Sequence, residues 1–473
     1  MFVIVLGVLL IAGMIYNSSV LSDSFPFLSR LSTEEKNAEI ASAGARLRAP
    51  VLDRNGNVVA DYSDASKDGE STLTDDDYII KAYPYAYSTL LGYCSTRYGV
   101  GGGILESLGS TLTIGTNSFL NIRNNMGNTV KMTVDSELQQ YAYNLTKNNR
   151  GAVVVTNADG DILCMVSTPT YNSNDIKADE SEIFTDEKYE ALFYHNAYEY
   201  PRAPGSVFKM VSSVAVCESG LSKVPYYDEG VTYTDRGYAI YNSGNYTKNT
   251  TITLTKALSY SVNTYFADRI NEVGYEKFNE VAKRFWVGED IKLDFTTLTS
   301  NFDTSSENGN EELMASAYGQ GKTLITPLHI NMITRAVATG DMVKPHIVKQ
   351  ILSPGESGKI VKTIKPEVMT EDIISYDTAS EIREGMLEAA TNYGLGYVYY
   401  KGGYVRIAAK TGTAETDNGD GITNNYITAY FPADDPQYFV TILSVGVGYG
   451  SGLAPTLQYL CNYVASNSSS YEN

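Results

Sequence analysis

The stretch Pro204-Gly205-Ser206-Val207-Phe208-Lys209 decides how this chain is read. Pro-Gly ends the segment before it, and the apolar run Val207, Phe208, Met210, Val211, Val214, Ala215 predicts a buried helix. Ser206 and Lys209, three residues apart, then share one face of its first turn. A serine hydroxyl attacks a carbonyl only when a base takes its proton, and a desolvated lysine with a lowered pKa is such a base. The helix N-terminus adds unpaired N–H groups and a dipole that favour negative charge on a substrate oxygen. Alone the motif is weak, because ordinary residue usage gives about two Ser-x-x-Lys matches in a chain of this length. A capping serine followed by a surface lysine has the same sequence.

Two later motifs raise its weight. Ser261-Val262-Asn263 lies in a helix-like stretch, Leu258 to Ile270, where two polar side chains two apart can flank the edge of a cleft. Lys410-Thr411-Gly412-Thr413 follows a predicted strand, Tyr404–Ala409. In an extended segment Lys410 shares a face with Gly412, and Thr411 with Thr413. Gly412 would let a ligand lie close against the backbone, with the Thr413 N–H free to donate. Each motif alone reads more readily as ordinary solvated side chains; the three in this order make a specific signal.

Working outward, Gly151–Thr156 and Ile162–Ser167 are short apolar strands joined through Asn157-Ala158-Asp159-Gly160-Asp161, a hairpin. Ile427–Phe431 and Tyr438–Val445 are two more strands, joined across Pro432–Pro436, and a last helix runs from about Pro455 to Ser466. A helix capped by Asp135 or Ser136 runs to about Lys147. Strands at both ends with helical sequence between predict one α+β domain whose sheet joins distant parts of the chain. We place this domain at 131–466, with a disordered tail at 467–473. Residues 46–130 form a small N-terminal module that opens on an Asn55-Gly56 hairpin turn.

Residues Met1 to Tyr16 are an uncharged apolar run, slightly short of a span; extended through Leu21 it reaches spanning length. It carries no basic n-region or small-x-small cleavage site, so an N-terminal anchor at 1–21 is favoured over a cleaved signal or a buried helix. A polar, Ser-rich linker follows at 22–45.

Composition excludes other classes. The 473 residues carry 36 Lys+Arg against 55 Asp+Glu, a net charge of −19, which argues against a nucleic-acid binder. The three histidines (His195, His329, His346) lie far apart, in no ligand cluster, so neither a metal site nor a cofactor is expected. Cys94, Cys164, Cys217 and Cys461 have no CxxC spacing and are read as buried free thiols. Tyrosine is in excess, 38 against 14 Phe and one Trp.

Ser-x-x-Lys, Ser-x-Asn and Lys-Thr-Gly in this order resemble the motif set of serine β-lactamases and penicillin-binding proteins. The chain is similar to class B penicillin-binding proteins, monofunctional D,D-transpeptidases, along nearly its whole length. Arg48…Leu52-Asp53-Arg54-Asn55-Gly56, Thr133-Val134-Asp135…Gln139, Gly319-Gln320-Gly321…Thr326-Pro327 and Pro432…Asp435-Pro436 carry the likeness further. Tyr83-Pro84-Tyr85…Leu91-Gly92-Tyr93 resembles the penicillin-binding protein A group. Two departures are Ala409, where the family usually has Gly, and Asn196-Ala197, where it often has Asn-Arg.

The resemblance implies the penicillin-binding transpeptidase fold, an antiparallel five-stranded sheet flanked by helices. It implies Ser206 as nucleophile, Lys209 as base, Ser261 and Lys410 as proton relay, and Asn263, Thr411, Gly412 and Thr413 as substrate-binding residues. The implied reaction crosslinks peptidoglycan stem peptides of a lipid-linked precursor, with β-lactams as covalent inhibitors. Implied partners are a membrane glycan polymerase and other cell-wall synthesis proteins; the implied place is the cell membrane, single-pass, with the catalytic domain extracytoplasmic. A serine β-lactamase or D,D-carboxypeptidase, or a β-lactam-binding sensor or scaffold, are the alternatives.

Overall fold

The computed structural model describes residues 48–62, 78–95, 99–113, 127–176, 195–305, 309–354, 358–416 and 421–471. The expected anchor at 1–21 and linker at 22–45 lie outside these residues. Among the described residues no helix is long and apolar enough to cross a membrane.

The central sheet has five strands in the order Ala408–Glu415, Thr423–Phe431, Tyr438–Gly446, Arg150–Asn157, Ile162–Thr168, all antiparallel. Its inner strands read as unbroken apolar runs because both faces are buried. Along Arg150–Asn157, Ala152 and Val154 join one core while Val153 and Val155 join the other. The first core takes in Met210, Val211 and Val214 of the helix Lys209–Glu218 and Ile333 of the helix Pro327–Thr339. The second takes in Leu138 and Ala142 of the helix Ser136–Thr146 and Leu457, Leu460 and Val464 of the helix Ala454–Ser466. The α+β fold implied by the sequence is therefore a helix–sheet–helix sandwich, with Ala408–Glu415 as its open edge.

A second sheet has six strands, ordered Ile360–Thr363, Val348–Leu352, Thr129–Met132, Val51–Leu52, Val58–Tyr62, Tyr78–Ile80. This corrects the module boundary placed at 130/131, which falls inside the strand Thr129–Met132. That strand pairs in parallel with Val51–Leu52 on one side and antiparallel with Val348–Leu352 on the other. Residues from late in the chain thus complete the N-terminal module, a pairing that no local composition shift could reveal. Buried polar side chains fasten the two parts. Gln139 Nε2 donates to the Ala86 and Met165 carbonyls, both at 2.8 Å, and its Oε1 accepts from Met165 N at 2.9 Å. Arg54 donates to the Thr133 carbonyl at 3.1 Å.

The tail expected at 467–473 is ordered as far as Tyr471. Ser468–Ser470 form a short 3-10 turn that buries Tyr471 against Tyr438, with the Arg54 guanidinium over its ring. One aromatic side chain in a polar stretch finds a hydrophobic site and holds the end down. Cys164 and Cys461 are buried thiols, and Cys94 and Cys217 are partly buried.

Candidate active site

The nucleophile segment enters through Gly205, whose φ of +57° only glycine adopts without strain, and whose N–H donates to the Gly319 carbonyl at 2.9 Å. Gly205–Phe208 is a 3-10 turn that passes directly into the α-helix Lys209–Glu218. Ser206 sits on that turn, partly exposed, while Lys209 one turn on is fully buried. The turn packs against the open edge strand, which carries the third motif in its interior, Lys410 being the third residue of Ala408–Glu415.

That strand differs from the expected one, which ended at Ala409. Lys410 and Gly412 point to the buried face, and Thr411 and Thr413 are partly exposed, as the alternation predicts. The space over Gly412 is not open to a ligand, however. A Cβ there would lie 2.5 Å from the Pro204 carbonyl oxygen and 3.1 Å from Val207 N. The chain's own nucleophile turn makes the close approach, so Gly412 seats Ser206 against the strand. Ala409, the departure from the family pattern, puts its methyl into the second core.

The single helix expected from Leu258 to Ile270 is two, Leu254–Ser259 and Asn263–Val273. Ser261 stands in the break with φ +59°, a left-handed conformation that costs a non-glycine residue about 1–2 kcal/mol. The break aims both the carbonyl and the hydroxyl of Ser261 at Lys209. Lys209 Nζ is 2.8 Å from Ser261 O, 3.2 Å from Ser261 Oγ and 2.7 Å from Asn263 Oδ1. From the other side Lys410 Nζ donates to Ser261 Oγ at 3.0 Å and to the Thr411 carbonyl at 3.0 Å. Asn263 is held in turn by its Nδ2 donating to the Tyr241 carbonyl at 2.9 Å. Beneath it Asp228, fully buried, accepts from Thr247 Oγ1 at 2.6 Å and Thr264 Oγ1 at 2.9 Å, keeping the start of the second helix in place.

The structure therefore brings Lys209, Ser261, Asn263 and Lys410 into one hydrogen-bonded cluster from three elements far apart in sequence. Ser206 lies on the turn that leads into Lys209, and its hydroxyl has no hydrogen-bond partner among the described residues. Burial, and then the neighbouring Lys410 ammonium, hold Lys209 well below the ordinary lysine value. A buried amine that is neutral at working pH can take a proton, which an ordinary surface lysine cannot.

Two groups in the site were not foreseen from the sequence. Tyr393, which caps the helix Tyr376–Asn392, places its hydroxyl 3.3 Å from Lys410 Nζ and 3.5 Å from Thr411 N. Gly450 N donates to Thr413 Oγ1 at 3.0 Å. The Tyr393 contact shows that the Thr411 N–H points off the open edge of the sheet. With a period of two, the Thr413 N–H points the same way.

Comparison with known proteins places this geometry. Residues 151–457 match the penicillin-binding protein transpeptidase domain. Stage V sporulation protein D of Bacillus subtilis is 27% identical over 330 residues, covering 66% of this chain and 49% of that protein. Peptidoglycan D,D-transpeptidase PbpA of Mycolicibacterium smegmatis is 27% identical over 398 residues, covering 76% of this chain and 77% of its own. The structure of penicillin-binding protein A from Mycobacterium tuberculosis, as its penicillin G acyl-enzyme complex, superposes with a TM-score of 0.76 at 20% identity, covering 89% of this chain and all of that one. The chain spans about half the length of several curated relatives it matches.

Proposed function

The chain belongs to the penicillin-binding protein transpeptidase family, and from that premise we propose that it is a serine D,D-transpeptidase that crosslinks peptidoglycan stem peptides. The observation that carries this reading is the Lys209–Ser261–Lys410 cluster beside Ser206 on an open strand edge. In this reading Ser206 Oγ attacks the carbonyl of a D-Ala-D-Ala bond as neutral Lys209 takes its proton. The N–H groups of Ser206, at the start of its helix, and Thr413, on the open edge, stabilise the oxyanion.

The hydrogen-bond inventory supports the proton route. A neutral amine has two N–H donors and one lone pair. The Ser261 carbonyl and Asn263 Oδ1 can only accept, so they take the two donors. The lone pair then faces Ser261 O–H, the one partner able to donate, while the Lys410 ammonium donates to the same oxygen. The chain Lys410 N–H to Ser261 O–H to Lys209 N has one direction throughout. Once Lys209 has taken the Ser206 proton, it donates to Ser261 Oγ while Ser261 passes its own hydroxyl proton to the leaving D-alanine amine, and Lys410 keeps its protons throughout. Asn263 buttresses Lys209 and contacts the substrate amide, and Thr411 and Thr413 with Lys410 receive the terminal carboxylate. The amine of a neighbouring stem then attacks the acyl-serine and forms the crosslink.

The same chemistry makes β-lactams acylate Ser206. Residues 1–21 anchor the chain in the cell membrane, the catalytic domain lies on the extracytoplasmic side, and the partners are a glycan polymerase and other cell-wall synthesis proteins. The test is intact-protein mass spectrometry after incubation with benzylpenicillin, beside Ser206→Ala. A stable adduct of one penicilloyl mass, absent in the variant, is expected. Rapid drug loss without adduct would mean a lactamase, and no adduct with intact drug would overturn the enzymatic reading.

A further inference from the structure

Tyr393 belongs to none of the three motifs, yet its hydroxyl reaches the strand that carries one of them. Its two neighbours, Lys410 Nζ at 3.3 Å and Thr411 N at 3.5 Å, are both donors, the ammonium and the backbone N–H having no lone pair to offer. The phenol oxygen therefore accepts from both, and its own O–H has no acceptor among the described residues. The adjoining hydroxyls are in the same state. Thr413 Oγ1 accepts from Gly450 N, and Thr411 Oγ1 has no partner among the described residues. Lys410 itself uses its three N–H groups on Ser261 Oγ, Thr411 O and Tyr393 Oη, with no carboxylate among them. The Tyr393 O–H, without an acceptor and beside a lysine that touches no carboxylate, is placed to receive an anionic oxygen at the edge that Thr411 and Thr413 line.

We propose that Tyr393 is a specificity-determining residue whose O–H donates to the terminal carboxylate of the acyl donor, beside Thr411 and Thr413. The proposal deepens the transpeptidase reading and rests on it. Position supports it as well as hydrogen-bond count. By occupying the Thr411 N–H, the phenol closes the open edge of the sheet on the side away from Thr413. A substrate strand laid along that edge must end at Tyr393, so what it presents there is its terminus. The phenol is partly exposed, as a group that touches substrate must be.

The test compares benzylpenicillin with its methyl ester, which lacks the free carboxylate, on the full chain and on Tyr393→Phe. The rate of adduct formation at Ser206 is read by intact mass. The free acid is expected to react roughly 10- to 100-fold more slowly with the variant, the loss of one hydrogen bond to a charged group, while the ester changes less than about threefold. Equal losses on both compounds would assign Tyr393 to positioning Lys410 and overturn the proposal, as would no loss on either. Should the variant not fold, the wild-type chain still decides against it if acid and ester react within about threefold of each other, less than one such bond is worth. A wild-type chain that forms no adduct at all, or whose adduct survives Ser206→Ala, would instead overturn the parent reading.

Discussion

Gly412→Ala tests whether this glycine serves the enzyme's own packing or a ligand. The added methyl would stand 2.5 Å from the Pro204 carbonyl oxygen and 3.1 Å from Val207 N. Ordinary contact begins at 3.4 Å, so 3.4 − 2.5 = 0.9 Å must be found by moving backbone. The strand cannot easily give, because it is paired with Thr423–Phe431 along its whole length. The nucleophile turn therefore moves, and Ser206 with it. Overpacking of this kind costs about 1–3 kcal/mol of stability. A displacement near 1 Å of a reacting group costs about 100-fold in rate. The expected result is a modest fall in melting temperature with roughly a 100-fold slower acylation by benzylpenicillin. Because the clash is with a backbone oxygen, adding Val207→Ala should not restore the rate. Ala409→Gly is the control: it removes a methyl from the opposite face, costs about 1 kcal/mol, and leaves acylation nearly unchanged. Acylation by Gly412→Ala within about threefold of wild type would refute the reasoning.

Ser261→Gly and Ser261→Ala both lose the relay hydroxyl and should slow acylation by at least about 100-fold. Glycine relieves the positive φ and alanine does not, so chemical denaturation should find Ser261→Gly the more stable by about 1 kcal/mol. Lys410→Met removes the cation that helps keep Lys209 neutral, so the acid limb of the acylation pH profile should move to higher pH; an unmoved limb would exclude Lys209 as the base. His346 Nε2 meets Asp161 at 3.0 Å where the two sheets adjoin. Burial pushes His346 down but the Asp161 carboxylate raises it above its usual 6.5; burial pushes Asp161 up but His346, then Arg54, bring it below 3.8. The stabilisation from the raised histidine is full below pH 6.5 and lost as pH rises through its folded value; that from the lowered aspartate is present above 3.8 and lost as pH falls through its folded value. Melting temperature against pH should thus lose its alkaline-side decline in His346→Gln, and a profile identical to wild type would disprove the pairing.

What was legible in the sequence was what is written locally. The inner strands of the main sheet announced themselves as apolar runs because both their faces are buried, and Asp135 announced a helix because a cap needs an acceptor beside the first turn. Leu138 N does bond Asp135 Oδ1, at 2.9 Å. The motif residues were legible as types in an order, but their joint geometry was not. Helical propensity runs straight through Leu258–Ile270, and only the packing of Ser261 against two lysines repays the left-handed break. Gly412 was misread because a close approach looks the same in sequence whether ligand or backbone makes it. Tyr393 stands 17 residues before Lys410, at the C-terminal cap of a helix, with no periodicity linking them. The strand Val348–Leu352 joins the N-terminal sheet across about half the chain, a pairing set by tertiary contact rather than local pattern.

The charge of the whole and the charge of the site point opposite ways. The chain carries a net −19, yet neither Lys209 nor Lys410 touches a carboxylate among the described residues. Burying two amines around one hydroxyl is costly, and the cost falls if only one of them is charged. Both are fully enclosed; Lys209 is the one that burial and then Lys410 hold well below the ordinary lysine value, and its three neighbours can satisfy a neutral amine. Lys410 touches no carboxylate among the described residues, its partners being Ser261 Oγ, Tyr393 Oη and Thr411 O. The two amines thus meet at Ser261 Oγ, which contacts both. In the proposed reaction a substrate that brings one carboxylate supplies the missing counter-ion, and in doing so sets its scissile carbonyl beside Ser206. An acidic surface repels such a substrate at long range, but screening confines that repulsion to about 10 Å in ordinary salt, whereas the buried pair is screened far less. In the proposed reaction recognition is therefore left to the cleft, where the Lys410 side chain that would meet a terminal carboxylate is also the one that, after burial, holds Lys209 below the ordinary lysine value.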